Sequence, residues 1–268
     1  MKAPSASEPT SAASIGVLDS GVGGLSVLRE IHRLLPGVPT LYFADQAHIP
    51  YGPRSADEIR SFVESIADFL IGQGAAVIVM ACHSASAASL IDLRARNPHV
   101  PFVGMEPAVK PAAEATRSGV IGVLTTQATA DGALYQSVVA RFAADVRVIT
   151  RVSPELVTMV EQGTQDTPEG EATLRHVVEP LIADGADQIV LACTHFPFLA
   201  DSLRRITDVP LVDPGAAVAR QVTRVLPAGV EAARGASRYF TSGDAQAFRG
   251  MLKRLIAVEA EVEQVTLG

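Results

Sequence analysis

The sequence predicts an α/β protein made of two pseudo-symmetric α/β sandwich domains with mainly parallel sheets, and a site in the cleft between them. The first observation behind this prediction is that short apolar runs alternate with longer segments of helical period, which is typical of parallel strands covered by helices. The second is that three blocks of the first half recur in the second. A chain of 268 residues, 48% apolar and 19% charged, is long enough for two such cores.

The internal repeat is carried by three pairs of blocks that keep their order. "IGVLDSG" starts at position 15 and "IGVLTTQ" at 121, while "GAAVIVMACHS" starts at 74 and "GADQIVLACTH" at 185. "PFVGMEPA" at 101 is echoed by "PLVDPGAA" at 210. Because the spacing between partners is nearly constant, we predict two related halves at about 15–110 and 120–225.

Each half is expected to contain four short strands separated by helices. The predicted strands are Ile15–Leu18, Leu41–Phe43, Val77–Ala81, Phe102–Met105, Ile121–Leu124, Val146–Thr150, Ile189–Ala192 and Leu211–Val212. The clearest helical periods cover Gly24–Leu35, Ser55–Ile71 and Glu171–Ala183, and Ser55 with Glu58 forms a capping box. After residue 235, "RYFTSGDAQAFRGMLKRLIA" predicts one more strand and helix that pack back on one half.

Composition limits the compartment and the partners. Residues 1–14, rich in Ser, Ala and Pro, predict a disordered tail without the apolar centre of a signal peptide. For the remainder we predict a first domain of residues 15–107 plus 215–268 and a second domain of residues 108–214. No apolar run approaches the roughly 20 residues that span a bilayer, and a net charge of −7 leaves no basic stripe for nucleic acid. We therefore predict a cytoplasmic protein with neither a membrane nor a nucleic-acid partner.

The two cysteines, Cys82 and Cys193, each end a predicted strand close to a histidine, His83 and His195. In open α/β sheets, sites form beyond the carboxyl ends of the strands. The residue pairs that directly follow strands are Asp19–Ser20, His83–Ser84, Thr125–Thr126 and Thr194–His195. The repeat therefore predicts two thiols on opposite walls of one cleft.

The residues alone leave four interpretations of these thiols open. They are small hydrophobic core residues, as free cysteines often are, or they form a disulfide, which a reducing compartment opposes. A zinc site from Cys82, His83, Cys193 and His195 has suitable ligand types, although the first two are adjacent instead of separated by two to four residues. In the fourth interpretation, a thiolate removes a proton from one face of a substrate and a thiol returns one to the other.

Six blocks in collinear order resemble the glutamate racemases of the cofactor-independent Asp/Glu racemase family. They are "LDSGVGGLSVLREI", "IPYGPRS", "ACHSASA", "IGVLTTQAT", "LACTHFPFL" and "YFTSGDAQAF", spread over about residues 15–255. "GVGG" by itself is typical of a tight turn into a helix and lacks the spacing of a phosphate loop. The resemblance implies an isomerase that converts L-glutamate to D-glutamate for peptidoglycan, and so for the cell wall and cell shape. It implies an amino-acid substrate and no pyridoxal phosphate, metal or other cofactor; a homodimer is left open.

The resemblance also implies roles for individual residues. Cys82 and Cys193 would be the two bases, assisted by Asp19, His195 and Glu161; without the resemblance, these three suit a turn cap, a hydrogen-bonded histidine and a solvated charge. The implied substrate-binding residues are Asp19, Ser20, Pro50, Tyr51, Gly52, His83, Ser84, Thr126, Thr129, Thr194 and His195.

One position departs from the family pattern. Where the family usually has Cys-Asn-Thr, this chain has Cys82-His83-Ser84. Serine keeps the hydroxyl of threonine, but histidine replaces an amide with a larger ring that titrates near neutral pH. We expect an altered pocket wall, and a protonated His83 would favour the thiolate form of Cys82. Two alternatives follow: a racemase for aspartate or another small acidic substrate, or a catalytically impaired binding or regulatory relative.

Overall fold

A computed structural model describes residues 13–267, and over that range the chain forms ten strands and eleven α-helices. The strands are β1 (Ser14–Asp19), β2 (Thr40–Ala44), β3 (Ala75–Met80), β4 (Phe102–Val103), β5 (Val120–Thr125), β6 (Arg147–Val152), β7 (Ile189–Ala192), β8 (Leu211–Val212), β9 (Arg238–Thr241) and β10 (Val262–Gln264). The helices are α1 (Leu25–Leu34), α2 (Ala56–Gly72), α3 (His83–Arg96), α4 (Val109–Ala115), α5 (Gln127–Ala130), α6 (Ala133–Phe142), α7 (Pro154–Gln162), α8 (Pro168–Ala183), α9 (Ala200–Arg204), α10 (Gly215–Val225) and α11 (Ala245–Ile256). Short 3₁₀ turns cover Phe196–Leu199 and Val230–Ala232.

The strands form two sheets, and the repeat is visible in their topology. The first sheet has the order β10-β9-β2-β1-β3-β4 and the second the order β6-β5-β7-β8. Among the described residues every strand pairing is parallel. The order β2-β1-β3-β4 matches β6-β5-β7-β8 strand for strand. The predicted α/β class and the two related halves are confirmed.

The strand order reverses at β1 in the first sheet and at β5 in the second. Such switch points open a crevice beyond the carboxyl ends of the two central strands, where open α/β sheets bind ligands. In the first sheet this edge carries Asp19 and Cys82, which end or follow β1 and β3. In the second it carries Thr125 and Cys193, which end or follow β5 and β7. The topology therefore places both cysteines at equivalent points.

The C-terminal segment after residue 235 packs back on the first half, as predicted. Strand β9 pairs with β2, and β10 extends the sheet beyond β9. The prediction missed β10, because "VEQ" contains a single apolar residue and gives no strand signal. The pairing of β9 and β10 with the first sheet agrees with the assignment of the C-terminal segment to the first domain. The predicted boundaries, 15–107 plus 215–268 for the first domain and 108–214 for the second, stay a prediction.

Element boundaries differ from the prediction where polar residues extend an element. Ser14 is buried and begins β1, so it does not belong to the predicted tail; residues 1–12 of that tail lie outside the described residues. Helix α8 begins three residues before the predicted Glu171, because the hydroxyl of Thr167 accepts a hydrogen bond from the amide of Gly170 and caps the helix. At α2 the predicted capping box of Ser55 is present.

Helix α3 carries no amphipathic pattern and was not predicted. Its first turn is buried at the site, so small and polar residues replace the apolar stripe of a surface helix. In the part of the chain that the structure describes, no helix is long and apolar enough to cross a membrane.

Candidate active site

A cavity of about 510 Å³ opens where the carboxyl ends of the two sheets meet. Twelve of the fourteen predicted site residues line it: Ser20, Pro50, Tyr51, Gly52, Cys82, His83, Ser84, Thr126, Thr129, Cys193, Thr194 and His195. The other two, Asp19 and Glu161, lie behind the wall and contact lining residues. The two halves of the repeat thus contribute to one cavity.

Sequence reasoning missed seven lining residues: Ile49, Pro53, Gln127, Val152, Pro154, Val157 and Thr158. Four of them belong to the end of β6 and the start of α7. The predicted strand ended at Thr150, two residues before β6 does, so the polar residues of Ser153-Pro154-Glu155 were not recognised as following a strand. These residues give the cavity an apolar side.

The Cys82 thiol is held in its protonated form. Cys82 is 5% exposed and caps α3, its Sγ accepting from the amide of Ala85 at 3.5 Å and lying 3.9 Å from the Oγ of Ser20. Burial raises the pKa of this thiol to about 12, and the nearby Asp19 adds to the rise, while the Ala85 amide and the Ser20 hydroxyl only partly oppose it. At neutral pH Cys82 is therefore a proton donor.

The Cys193 thiol has a different environment, a chain of three side chains. Cys193 is 7% exposed, and its Sγ lies 3.8 Å from Nδ1 of His195. On the other side of the ring, Nε2 of His195 lies 2.8 Å from Oε1 of Glu161. Burial lowers the pKa of His195, but its hydrogen bonds with Cys193 and Glu161 outweigh that effect and raise the pKa well above its usual value. A charged imidazole therefore lies next to the sulfur of Cys193.

Asp19 connects the two halves from behind the wall of the cavity. Its Oδ2 accepts the amide of Gly21 at 2.9 Å, and its Oδ1 accepts the hydroxyl of Thr194, in the other half, at 3.2 Å. Burial raises the pKa of this carboxyl, although the charge of His195 opposes the rise. The predicted contact of Asp19 with substrate stays a prediction.

The "GVGG" loop packs against the second half. A Cβ atom on Gly23 would lie 2.5 Å from both Nδ1 of His195 and Oγ1 of Thr194. A Cβ atom on Gly21 would lie 2.8 Å from Oε1 of Glu161. Glycine at these two positions lets the side chains of the Cys193 wall approach the backbone of the loop. The tight turn that the sequence suggested is thus also a contact between the halves.

Three hydroxyls from both halves form a polar corner of the cavity. Oγ of Ser84 lies 3.1 Å from Oγ1 of Thr126 and 3.3 Å from Oγ1 of Thr129, and the two threonine hydroxyls are 3.1 Å apart. Among the described residues that line the cavity, none is Lys or Arg. An anionic ligand would therefore be held by hydroxyls and amides near a single cationic group, His195.

The loop that carries Pro50, Tyr51 and Gly52 is fastened by Asp45, which sequence reasoning missed. The buried carboxylate of Asp45 accepts from the hydroxyls of Tyr51 and Ser242, both at 2.6 Å, and lies 2.8 Å from Nδ1 of His48. Ser242 follows β9, so the C-terminal segment helps to hold one wall of the cavity. Asp45 follows a strand, but nothing in the sequence indicates these distant partners.

His83 is present in the cavity wall but is not charged, which corrects the expectation that it would favour a Cys82 thiolate. The ring is 3% exposed, and neither of its nitrogens has a hydrogen-bond partner within the described chain. Burial lowers the pKa of His83 to about 3, so the imidazole is neutral at physiological pH. A neutral ring cannot supply the charge that lowers a thiol pKa.

The other interpretations of the cysteines lose support. Both thiols are free, which contradicts a disulfide. Within residues 13–267 no group of three or more His, Cys, Asp or Glu side chains is arranged to hold a metal ion, so no ligand geometry supports the zinc interpretation. The thiols are as buried as core residues, yet both line the cavity. Two thiols in different protonation environments, facing one cavity, suit proton removal and proton return.

Known proteins resemble this chain over nearly its whole length. The Asp/Glu/Hydantoin racemase family profile matches residues 15–222. A glutamate racemase of Ectopseudomonas mendocina is 49% identical over 94% of this chain and 98% of its own, and one of Roseiflexus sp. is 48% identical over 96% and 97%. The crystal structure of Escherichia coli glutamate racemase in complex with L-glutamate and the activator UDP-MurNAc-ala superposes with a TM-score of 0.86 at 32% identity, covering 96% of this chain and 99% of that one.

Proposed function

The chain belongs to the Asp/Glu/hydantoin racemase family, and from this membership we propose that it interconverts L- and D-glutamate by a two-thiol mechanism. The observation that carries the proposal is that Cys82 and Cys193, at equivalent positions of the repeat, line the same cavity. The choice of glutamate as substrate rests on relatives named glutamate racemases, which are 48–49% identical over more than nine-tenths of both chains.

In the proposed reaction, one sulfur breaks the Cα–H bond and the other forms it on the opposite face. The Cys193 thiolate, favoured by protonated His195, takes the α-proton of the enantiomer that presents it, and the electron pair stays on the substrate. The Cys82 thiol then gives its proton to the other face of Cα, which inverts the centre. Reversal of the same steps converts the second enantiomer. Glu161 keeps His195 charged, and Asp19 orders the junction between the halves through Thr194.

Substrate is proposed to bind without a lysine or arginine. The hydroxyls of Ser84, Thr126 and Thr129, with the first amides of α3, suit one carboxylate. The segment Pro50–Gly52 suits the other. Ser20 is next to Asp19, which interacts with the Cys82 thiol, and Thr194 is next to His195, which contacts the Cys193 thiol. Ser20 and Thr194 would therefore orient the α-carbon between the two sulfurs. His83 and His195 complete the cavity wall around it.

The product would supply D-glutamate for peptidoglycan. A cytoplasmic location belongs to the same proposal, because a reducing compartment keeps two buried cysteines as thiols.

Solvent exchange tests this function. Each glutamate enantiomer is incubated with the protein in D₂O, and deuterium at Cα is followed by NMR together with optical rotation. We expect deuterium in the inverted product and loss of rotation from either starting enantiomer. Parallel incubations with L- and D-aspartate test the related racemase. Absence of exchange and of rotation change with all four substrates would contradict a racemase.

We expect the His83→Asn variant to keep or raise glutamate turnover. The imidazole makes no hydrogen bond that the substitution would break, and asparagine restores the amide typical of the family. Removing an unpartnered buried ring should also leave the melting temperature unchanged or higher. Steady-state kinetics with glutamate and with aspartate, alongside thermal melting, measure both effects. Complete loss of turnover in a folded variant would show instead that His83 is essential.

A further inference from the structure

The C-terminal helix reaches across to the second half through one arginine. Helix α11 follows β9, a strand of the first sheet, and belongs to neither repeat. Nη2 of Arg254, near its end, donates to the backbone carbonyls of Val160, at 2.9 Å, and of Glu161, at 3.0 Å. Both carbonyls lie in the last turn of α7, the helix that carries Glu161.

The guanidinium fits closely against the end of α7. Gly163, which terminates that helix, has a φ of +70°, and a Cβ atom on it would lie 2.7 Å from Nη1 of Arg254. The carbonyl of Val160 also accepts the amide of Gly163, at 3.2 Å, whereas the carbonyl of Glu161 lies at the end of the last turn, where helix carbonyls have no partner within the helix. A cation there also interacts favourably with the helix dipole. Arg254 therefore caps α7 from a different part of the fold.

We propose that Arg254 is a positioning residue for the racemisation: by fixing the last turn of α7, it places the Glu161 carboxylate against His195. The inference rests on the proposed function for its catalytic meaning. The last turn of a helix frays when its carbonyls are unsatisfied. Because Glu161 lies one residue before the end of α7, fraying there would lengthen its 2.8 Å contact with His195.

Two groups besides Glu161 interact with His195, so the effect of displacing the Glu161 carboxylate must be measured against theirs. The sulfur of Cys193 lies 3.8 Å from Nδ1 of His195, and Asp19 interacts electrostatically with the ring from the end of β1. Cys82 lines the same cavity. Tyr42 of β2 stays protonated, since burial raises its pKa well above the usual value. Of the carboxylates, Glu161 makes the direct hydrogen bond, so loosening it should lower the pKa of His195.

The test compares Arg254→Met with a matched control on the same helix, Arg249→Met. Arg249 pairs with Glu261 at 3.0 Å, and its variant also removes one positive charge from α11. For Arg254→Met we expect kcat/KM above pH 8 to fall about tenfold. The pH at which kcat/KM declines on the alkaline side of its profile should move down by about half a unit to one unit. Arg254→Lys should recover part of both, and the control should match the parent protein. Identical pH profiles for the two Met variants would overturn the proposal.

A measurement without turnover separates this inference from the proposed function. The titration of His195, one of six histidines, is followed by NMR and assigned with a His195→Gln variant. Arg254→Met should lower the pKa of His195, and Arg249→Met should leave it unchanged. If the parent protein racemised nothing, the proposed function would fail, and the titration would still decide whether Arg254 positions Glu161. An unchanged His195 titration in Arg254→Met would overturn the positioning role.

Discussion

Replacing either cysteine with serine is expected to reduce glutamate racemisation by at least about 10³-fold. Serine is nearly the same size as cysteine, but its hydroxyl does not ionise near neutral pH. The variant therefore keeps the cavity and loses the proton donor or acceptor on one face of the substrate. Because inversion needs both faces, Cys82→Ser and Cys193→Ser should be equally inactive, despite the different environments of the two thiols.

Isotope exchange distinguishes loss of one base from a general loss of the site. Cys82→Ser keeps Cys193, and we expect it to exchange the α-hydrogen of a single enantiomer in D₂O without inverting it. Cys193→Ser keeps Cys82, a thiol that is protonated at neutral pH, so its exchange should be far slower, should rise in alkaline buffer and should affect the opposite enantiomer. Circular dichroism and thermal melting serve as the control for folding. A racemising single variant, or exchange of the same enantiomer by both, would refute two bases on opposite faces.

Glu161→Gln is expected to reduce kcat/KM about 10- to 100-fold at pH 8. Glutamine can still hydrogen-bond to Nε2 of His195, so the ring keeps its place, but the negative charge that favours imidazolium is gone. A neutral His195 no longer favours the Cys193 thiolate. Glu155→Gln, an exposed first-turn change on the same helix, is the matched control and should behave like the parent protein.

The pH dependence of that variant has a defined sign. The folded-state pKa of His195 is raised above its unfolded value of about 6.5. Its charged form therefore contributes stability that is fully present below pH 6.5 and is lost as the pH rises through the raised value. The melting temperature of Glu161→Gln should therefore lie furthest below that of the parent protein at pH 6, and the difference should shrink in alkaline buffer. The pH at which its activity declines on the alkaline side should be lower than in the parent protein. A deficit that grows with pH would contradict an imidazolium stabilised by Glu161.

The sequence was sufficient to predict the α/β architecture because strands and helices produce regular patterns of apolar residues along the chain. Parallel strands covered on both faces must be continuously apolar, so runs such as Val77–Ala81 and Ile189–Ala192 were found within one or two residues. The repeat then related Cys82 to Cys193, and the carboxyl-end rule for open sheets predicted one shared cleft. Elements with weak local patterns, such as the buried α3 and the three-residue β10, were missed.

Tertiary structure alone decided what each site residue can do. Glu161 and His195 are 34 positions apart, and only packing brings their side chains within 2.8 Å. The sequence allowed His83 to be a cation, and burial makes it neutral. Cys82 and Cys193 occupy equivalent places in the repeat, yet one is beside Asp19 and the other beside a charged histidine. Charge and proton affinity depend on burial and on neighbours distant in sequence, whereas strand and helix patterns depend on neighbours close in sequence.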